Sequence, residues 1–110
     1  MSKEFEVKGE VRKHEGKAGW LFIYINKEIS AEIFRLTKDI RMESVKKVGF
    51  GFIPVRAILG KSTWETAIFP NKERKYLLAL KQSICRVEGV HEGDIVEMRL
   101  ALLDEQEAIV

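Results

Sequence analysis

The sequence predicts a mainly β chain: a small, partly closed barrel of about six strands with one long helix and one short one. Two observations carry this. Several apolar runs are short and apolar on both faces, as in residues 19–25 (GWLFIYI) and 76–80 (YLLAL), the pattern of strands covered on two sides. Tight glycine-containing turns separate such runs, at HEGKA (14–18), Gly60-Lys61 and Glu92-Gly93-Asp94. Short strands joined by tight turns favour closure over an open sheet.

Taken in order, Phe5, Val7, Gly9 and Val11 alternate with Glu4, Glu6, Lys8, Glu10 and Arg12, which predicts a strand with one solvated face. The turn HEGKA follows, then the apolar strand 19–25, and the two strands read together as a hairpin. After Asn26 the period changes. Ile29, Ile33, Leu36 and Ile40 form one stripe at i, i+4, i+7 and i+11, opposite Lys27, Glu32, Arg35, Lys38 and Asp39. The expected helix spans 26–40, with Asn26 as N-cap and Glu28 in the first turn, and lies over an opening of the β structure. Residues 41–47 read as a polar connection whose Lys46 and Lys47 are solvated.

Segments 50–59 and 62–69 flank Gly60-Lys61, a two-residue loop suited to a type II′ turn. That register sets Ala57 opposite Trp64, and Arg56 opposite Glu65 as a cross-strand ion pair. Pro54 cannot donate to a ladder, so its part of the strand is expected at an edge or a bulge. PNKERK (70–75) is a charged loop.

The stretch from 77 to 103 organises the rest. Tyr76 to Leu80 is a buried strand. Leu80, Ile84 and Val87 take helical spacing through 81–88, and Gly89 ends that helix. Gly93 and Asp94 set a turn, with Asp94 bonding its own backbone. Val96, Met98, Leu100 and Leu102 then alternate with Glu97 and Arg99 in a strand with one buried face. Residues 104–108 read as a frayed tail.

At 110 residues the chain reads as one domain, 1–110, and needs neither metal nor disulfide to fold. Its one cysteine, Cys85, excludes an internal disulfide and fits a reducing compartment. The charged, alternating N-terminus lacks a signal-peptide core, and no apolar run approaches a membrane span, so a cytoplasmic protein with no membrane partner is expected. The net charge of +2 permits nucleic-acid binding without supporting it.

Gly19-Trp20 with the strand behind it, the helix after Asn26, TWETAIFP (63–70) and above all YLLALKQSICRVEGVHEGDIVEMRL carry a resemblance. The last piece fits Leu-x-x-x-Lys, then Arg, then Gly-x-x-x-Gly-Asp-x-Val. Over nearly its whole length the chain resembles a family of small bacterial and archaeal proteins known only as a domain of unknown function. The resemblance implies a double-split β-barrel, the class that also holds the AbrB-type and MazE-type DNA-binding dimers. It implies no activity. In some relatives a second segment associated with bacteriocin protection follows, and it is expected to lie outside this chain.

The chemistry is sparse. His14, His91 and Cys85 are the only His and Cys residues and sit at no ligand spacing, so no metal and no cofactor are expected. No nucleophile triad signature or phosphate loop appears. Cys85, near Lys81 and Arg86, or the acid Asp94, would serve a small enzyme, against the simpler readings of a buried thiol and a turn cap. The preferred expectation is a binding module without catalysis for an anionic small molecule. Lys81, Arg86, Trp64 and Arg99 are its candidate residues, against a simpler reading as ion pairs tying the short helix down. The alternative is nucleic-acid binding through Lys72, Arg74 and Lys75, joined by Lys46 and Lys47 if the two loops are neighbours. The expected state is a monomer or weak homodimer.

Overall fold

The computed structural model describes residues 4–16, 19–49 and 51–103. Its elements run β1 (Glu4–Glu10), β2 (Arg12–Lys13), β3 (Leu21–Tyr24), α1 (Lys27–Leu36), α2 (Lys38–Val48), β4 (Ile53–Leu59), β5 (Ser62–Pro70), β6 (Tyr76–Leu80), α3 (Gln82–Glu88) and β7 (Ile95–Leu102). The strands form one antiparallel sheet of order β1-β7-β4-β5-β6-β3-β2. This corrects the expectation of a six-stranded double-split barrel: among the described residues seven strands curl into a half-barrel, with three helices rather than two. The expected tail lies outside the described residues. No described helix is long and apolar enough to cross a membrane.

The curl follows from one continuous segment. β1 pairs along its whole length with β7, from Glu4 opposite Ala101 to Glu10 opposite Ile95. At Val11 the chain changes partner. The Val11 amide donates to Asp94 O at 2.8 Å, and the Gly93 amide donates back to Val11 O at 2.8 Å. Arg12 and Lys13 then pair with Phe22 and Leu21. One segment therefore supplies both outer strands of the sheet. The expected hairpin of the first two strands survives only in that short β2–β3 pairing, because alternation declares which face is buried but not which neighbour is taken. A Cβ at Gly9 would lie 3.2 Å from both Ile23 Cβ and Tyr24 O, so any side chain there would push β1 and β3 apart by a few tenths of an ångström.

The expected β4–β5 register holds: Ala57 faces Trp64, Leu59 faces Ser62, and Arg56 meets Glu65 with Nη2 to Oε2 at 3.0 Å. Gly60 takes φ +59, as the first position of a type II′ turn requires. Ser62 Oγ donates to Glu88 Oε2 at 2.6 Å, tying α3 to this turn. Pro54 does not mark an edge: β4 lies between β7 and β5, and the proline stands just before the β4–β7 ladder begins at Val55. The absent donor falls where no rung is needed.

The inner face of the sheet carries the core, including the fully buried Ile23, Ile53, Ile68, Leu78 and Leu100. α1 adds Ile33, fully buried, and Ile29 beside it. Burying Ile33 stabilises the fold by about 1.5–3 kcal/mol. Asn26 caps α1 as expected, its Oδ1 accepting the Ile29 amide at 2.8 Å. The single long helix is corrected to two. Thr37, at φ −119, ends α1, and residues read as a polar connection continue as α2. Thr37 is buried and donates to Ile33 O at 2.6 Å, whereas Leu36 of the expected stripe is exposed. Gly89 closes α3 at φ +67, with the Val90 amide donating to Cys85 O at 2.9 Å and Val90 buried.

Candidate binding groove

A concave surface lies between the α1–α2 pair and the loop joining β5 to β6. Two depressions, of about 660 and 450 Å³, share Phe34, Pro70 and Tyr76 as common wall and so form one groove. The larger is also lined by Lys27, Ala31 and Arg74, the smaller by Arg41, Met42, Val45 and Lys46. Phe34, Met42 and Val45 are 55%, 52% and 51% exposed, a large apolar area for side chains that the core does not claim.

The break at Thr37 shapes this surface. It turns α2 so that Arg41, in the first turn of that helix, reaches back over α1. The Arg41 guanidinium carbon sits 3.6 Å from the Phe34 ring centre. Nη2 donates to Phe34 O at 2.8 Å and Nε to Thr37 Oγ1 at 3.4 Å. The guanidinium is thus fixed by a ring face and two acceptors, and a stacked cation of this kind contributes about 0.5–2 kcal/mol. Ser44 holds α2 to the sheet: its hydroxyl lies 2.8 Å from Phe52 O and 3.0 Å from Ile40 O.

Tyr76 opens β6 and is 3% exposed, yet its side chain lines both depressions. Its hydroxyl has no hydrogen-bond partner among the described residues. Burial pushes the phenol up from its ordinary value, and the nearby Arg41 charge opposes that in part. The group therefore stays protonated, a donor, through neutral pH.

The loop on the far wall is held by Asn71. Its Oδ1 accepts the Glu73 and Lys75 amides, each at 2.9 Å. Its own amide donates to Lys75 O at 3.0 Å, and the Arg74 amide donates to Asn71 O at 3.2 Å. Arg74 is held at φ +64, a left-handed conformation unfavourable for a residue with a Cβ. Lys27, Arg41, Lys46 and Arg74 line the groove against one carboxylate, Glu73, so its field is positive. Lys46 is paired with Glu43 at 3.6 Å, while Lys27, Arg41 and Arg74 have no ion-pair partner among the described residues.

The residues singled out from sequence are dispersed. Trp64 is not on a concave surface: it packs in the core opposite Ala57, on the inner face of the sheet. Arg99 stands on the outer face opposite Ile58, 3.8 Å from Glu4, and lines a shallow charged depression with Glu6, Lys8 and Glu97. Lys81 precedes α3 and Arg86 lies on it, both exposed, and neither lines any of the depressions described here. The nearby carboxylate Glu88 accepts from Ser62. Lys72 is exposed and Lys75 pairs with Glu73 at 3.6 Å, while Arg74 lines the larger depression and Lys46 the smaller. Burial pushes the Cys85 thiol up, away from the thiolate. Asp94 Oδ2 accepts the His91 amide at 2.8 Å, the turn-capping role expected of it. No cluster of three or more metal-binding side chains occurs among the described residues.

Sequence reasoning missed Phe34, Arg41 and Tyr76. Phe34 falls outside the apolar stripe of α1, Arg41 lay in the supposed connection, and Tyr76 read as an ordinary strand residue. An aromatic on the polar side of an amphipathic helix was the one available signal.

Residues 8–100 match a protein family described as a domain of unknown function, DUF1905. No curated protein matches the chain.

Proposed function

Because the chain belongs to the DUF1905 family, whose description assigns no activity, we propose a function from the groove alone: a binding module without catalysis, taking an organic anion between α1–α2 and residues 70–76. The observation that carries this is Tyr76, a largely covered side chain whose hydroxyl has no partner among the described residues and opens to the groove, set beside the fixed Arg41 among exposed apolar side chains. Concave, mostly apolar sites with a few placed polar groups are where small ligands bind. The single buried thiol suits a reducing cytoplasm.

The test uses 8-anilinonaphthalene-1-sulfonate, an apolar organic anion, on the native chain. The expected result is one-to-one binding, with amide shifts confined to α1, α2 and residues 70–76, and a loss of tenfold or more in Phe34→Asp. No binding, or shifts elsewhere, would overturn the reading. A second reading, contact with a nucleic-acid backbone, is favoured by the cations lining the two adjoining depressions, Lys27 and Arg74 in one, Arg41 and Lys46 in the other. It demands affinity that falls steeply with salt, where binding held by apolar contact changes little.

A further inference from the structure

The donors and charges around the groove narrow the ligand. Arg41 spends Nε and Nη2 on Thr37 and Phe34, and its Nη1 has no partner among the described residues. The Tyr76 hydroxyl is likewise unspent. Both residues line the smaller depression. Two donors, one of them on a cation, suit a two-oxygen monoanion.

A phosphate asks for more. It is usually cradled by several backbone amides at a nest or glycine-rich loop. Here the amides of Asn71, Glu73, Arg74 and Lys75 are all consumed inside the loop. The walls beside the donors are mostly apolar: Phe34, Met42, Val45 and Pro70 would cover a hydrocarbon, and the other cation there, Lys46, is already paired with Glu43.

We infer that the ligand is an organic carboxylate with an apolar body, its head group on Arg41 and Tyr76 and its body along Phe34, Pro70, Met42 and Val45. This rests on the groove being a binding site. The carboxylate accepts from the guanidinium Nη1 and the phenol, the two donors that no described residue uses. The hydrocarbon covers side chains now half in solvent.

The experiment titrates the isotopically labelled full chain with sodium octanoate, octan-1-ol and inorganic phosphate at neutral pH, following amide shifts. Octanoate is expected to bind at least about tenfold more tightly than octan-1-ol, and phosphate not at all. Tyr76→Phe keeps the buried ring and is expected to cost about tenfold for octanoate and nothing for octan-1-ol. Arg41→Gln is expected to abolish the preference for octanoate, its fold being checked by unchanged amides in β4 and β7. Equal binding of octanoate and octan-1-ol would overturn the carboxylate assignment and leave the groove standing. Phosphate binding as tightly as octanoate would overturn the apolar body. If none of the three binds while the anilinonaphthalene sulfonate does, the carboxylate assignment fails alone; if that probe fails too, the groove reading falls with it.

Discussion

Ser30 occupies the place of a missing rung between Ile25 and Tyr76. The Ile25 amide donates to Tyr76 O at 2.8 Å, as in an antiparallel pair. The return bond is absent. The Tyr76 amide instead donates to Ser30 Oγ at 3.1 Å, and that hydroxyl donates to Ile25 O at 3.0 Å. A side chain from α1 has entered the ladder where β3 and β6 part, and Tyr76, the floor of the groove, sits at that parting.

Ser30→Ala should therefore cost more than a surface substitution. It leaves a buried amide and a buried carbonyl without their partner, at about 1–3 kcal/mol for each group left unsatisfied. Urea denaturation should show a lowered midpoint with an unchanged slope. A loss below about 0.5 kcal/mol would mean that the strands close the gap unaided.

Gly9 tests the seam between the two ends of the sheet. A valine there would press on Ile23 and on the Tyr24 carbonyl, and forcing β1 away should cost about 1–3 kcal/mol. Equilibrium unfolding of Gly9→Val would measure it, and wild-type stability would show that β1 and β3 have room to separate.

Alkali offers a test of the buried phenol. The folded pKa of Tyr76 is raised above the ordinary value of 10.0, so the folded state prefers the neutral form. Its contribution to stability is full below the unfolded value and is lost as pH rises through the folded one. Stability should fall above about pH 10, and Tyr76→Phe should flatten that fall. Absorbance of the phenolate, followed with unfolding in the native chain and in Tyr76→Phe, checks that the fall belongs to Tyr76.

Lys81→Ala and Arg86→Ala should change stability by no more than about 0.5 kcal/mol, since both side chains are exposed and unpaired among the described residues. Neither should alter binding of the anilinonaphthalene sulfonate. A tenfold loss in either variant would move the site to α3.

Much of the fold was legible because local chemistry is explicit at its turns and caps. Asn26, Gly60, Gly89 and the Gly93-Asp94 pair each do what their residue types suggest. Partner choice was not legible. The first strand goes to the last because both present matching alternation, and nothing in the intervening turn forbids a nearer neighbour. The helix stripe failed for a different reason. Ser30 and Thr37, both polar, are buried because each hydroxyl satisfies a nearby carbonyl, so a hydrophobic count passes over them and promotes Leu36 instead. The groove was invisible because it depends on the kink that Thr37 makes, which no propensity at 26–47 announces.

β7 lies inside the sheet, with β1 on one flank and β4 on the other. During synthesis the amino-terminal strand must therefore wait, unpaired along its length, until about ninety further residues have left the ribosome. Assembly of such a sheet is a late, long-range event rather than a progressive one, and chains released before residue 95 would leave two strands without the neighbour that separates them.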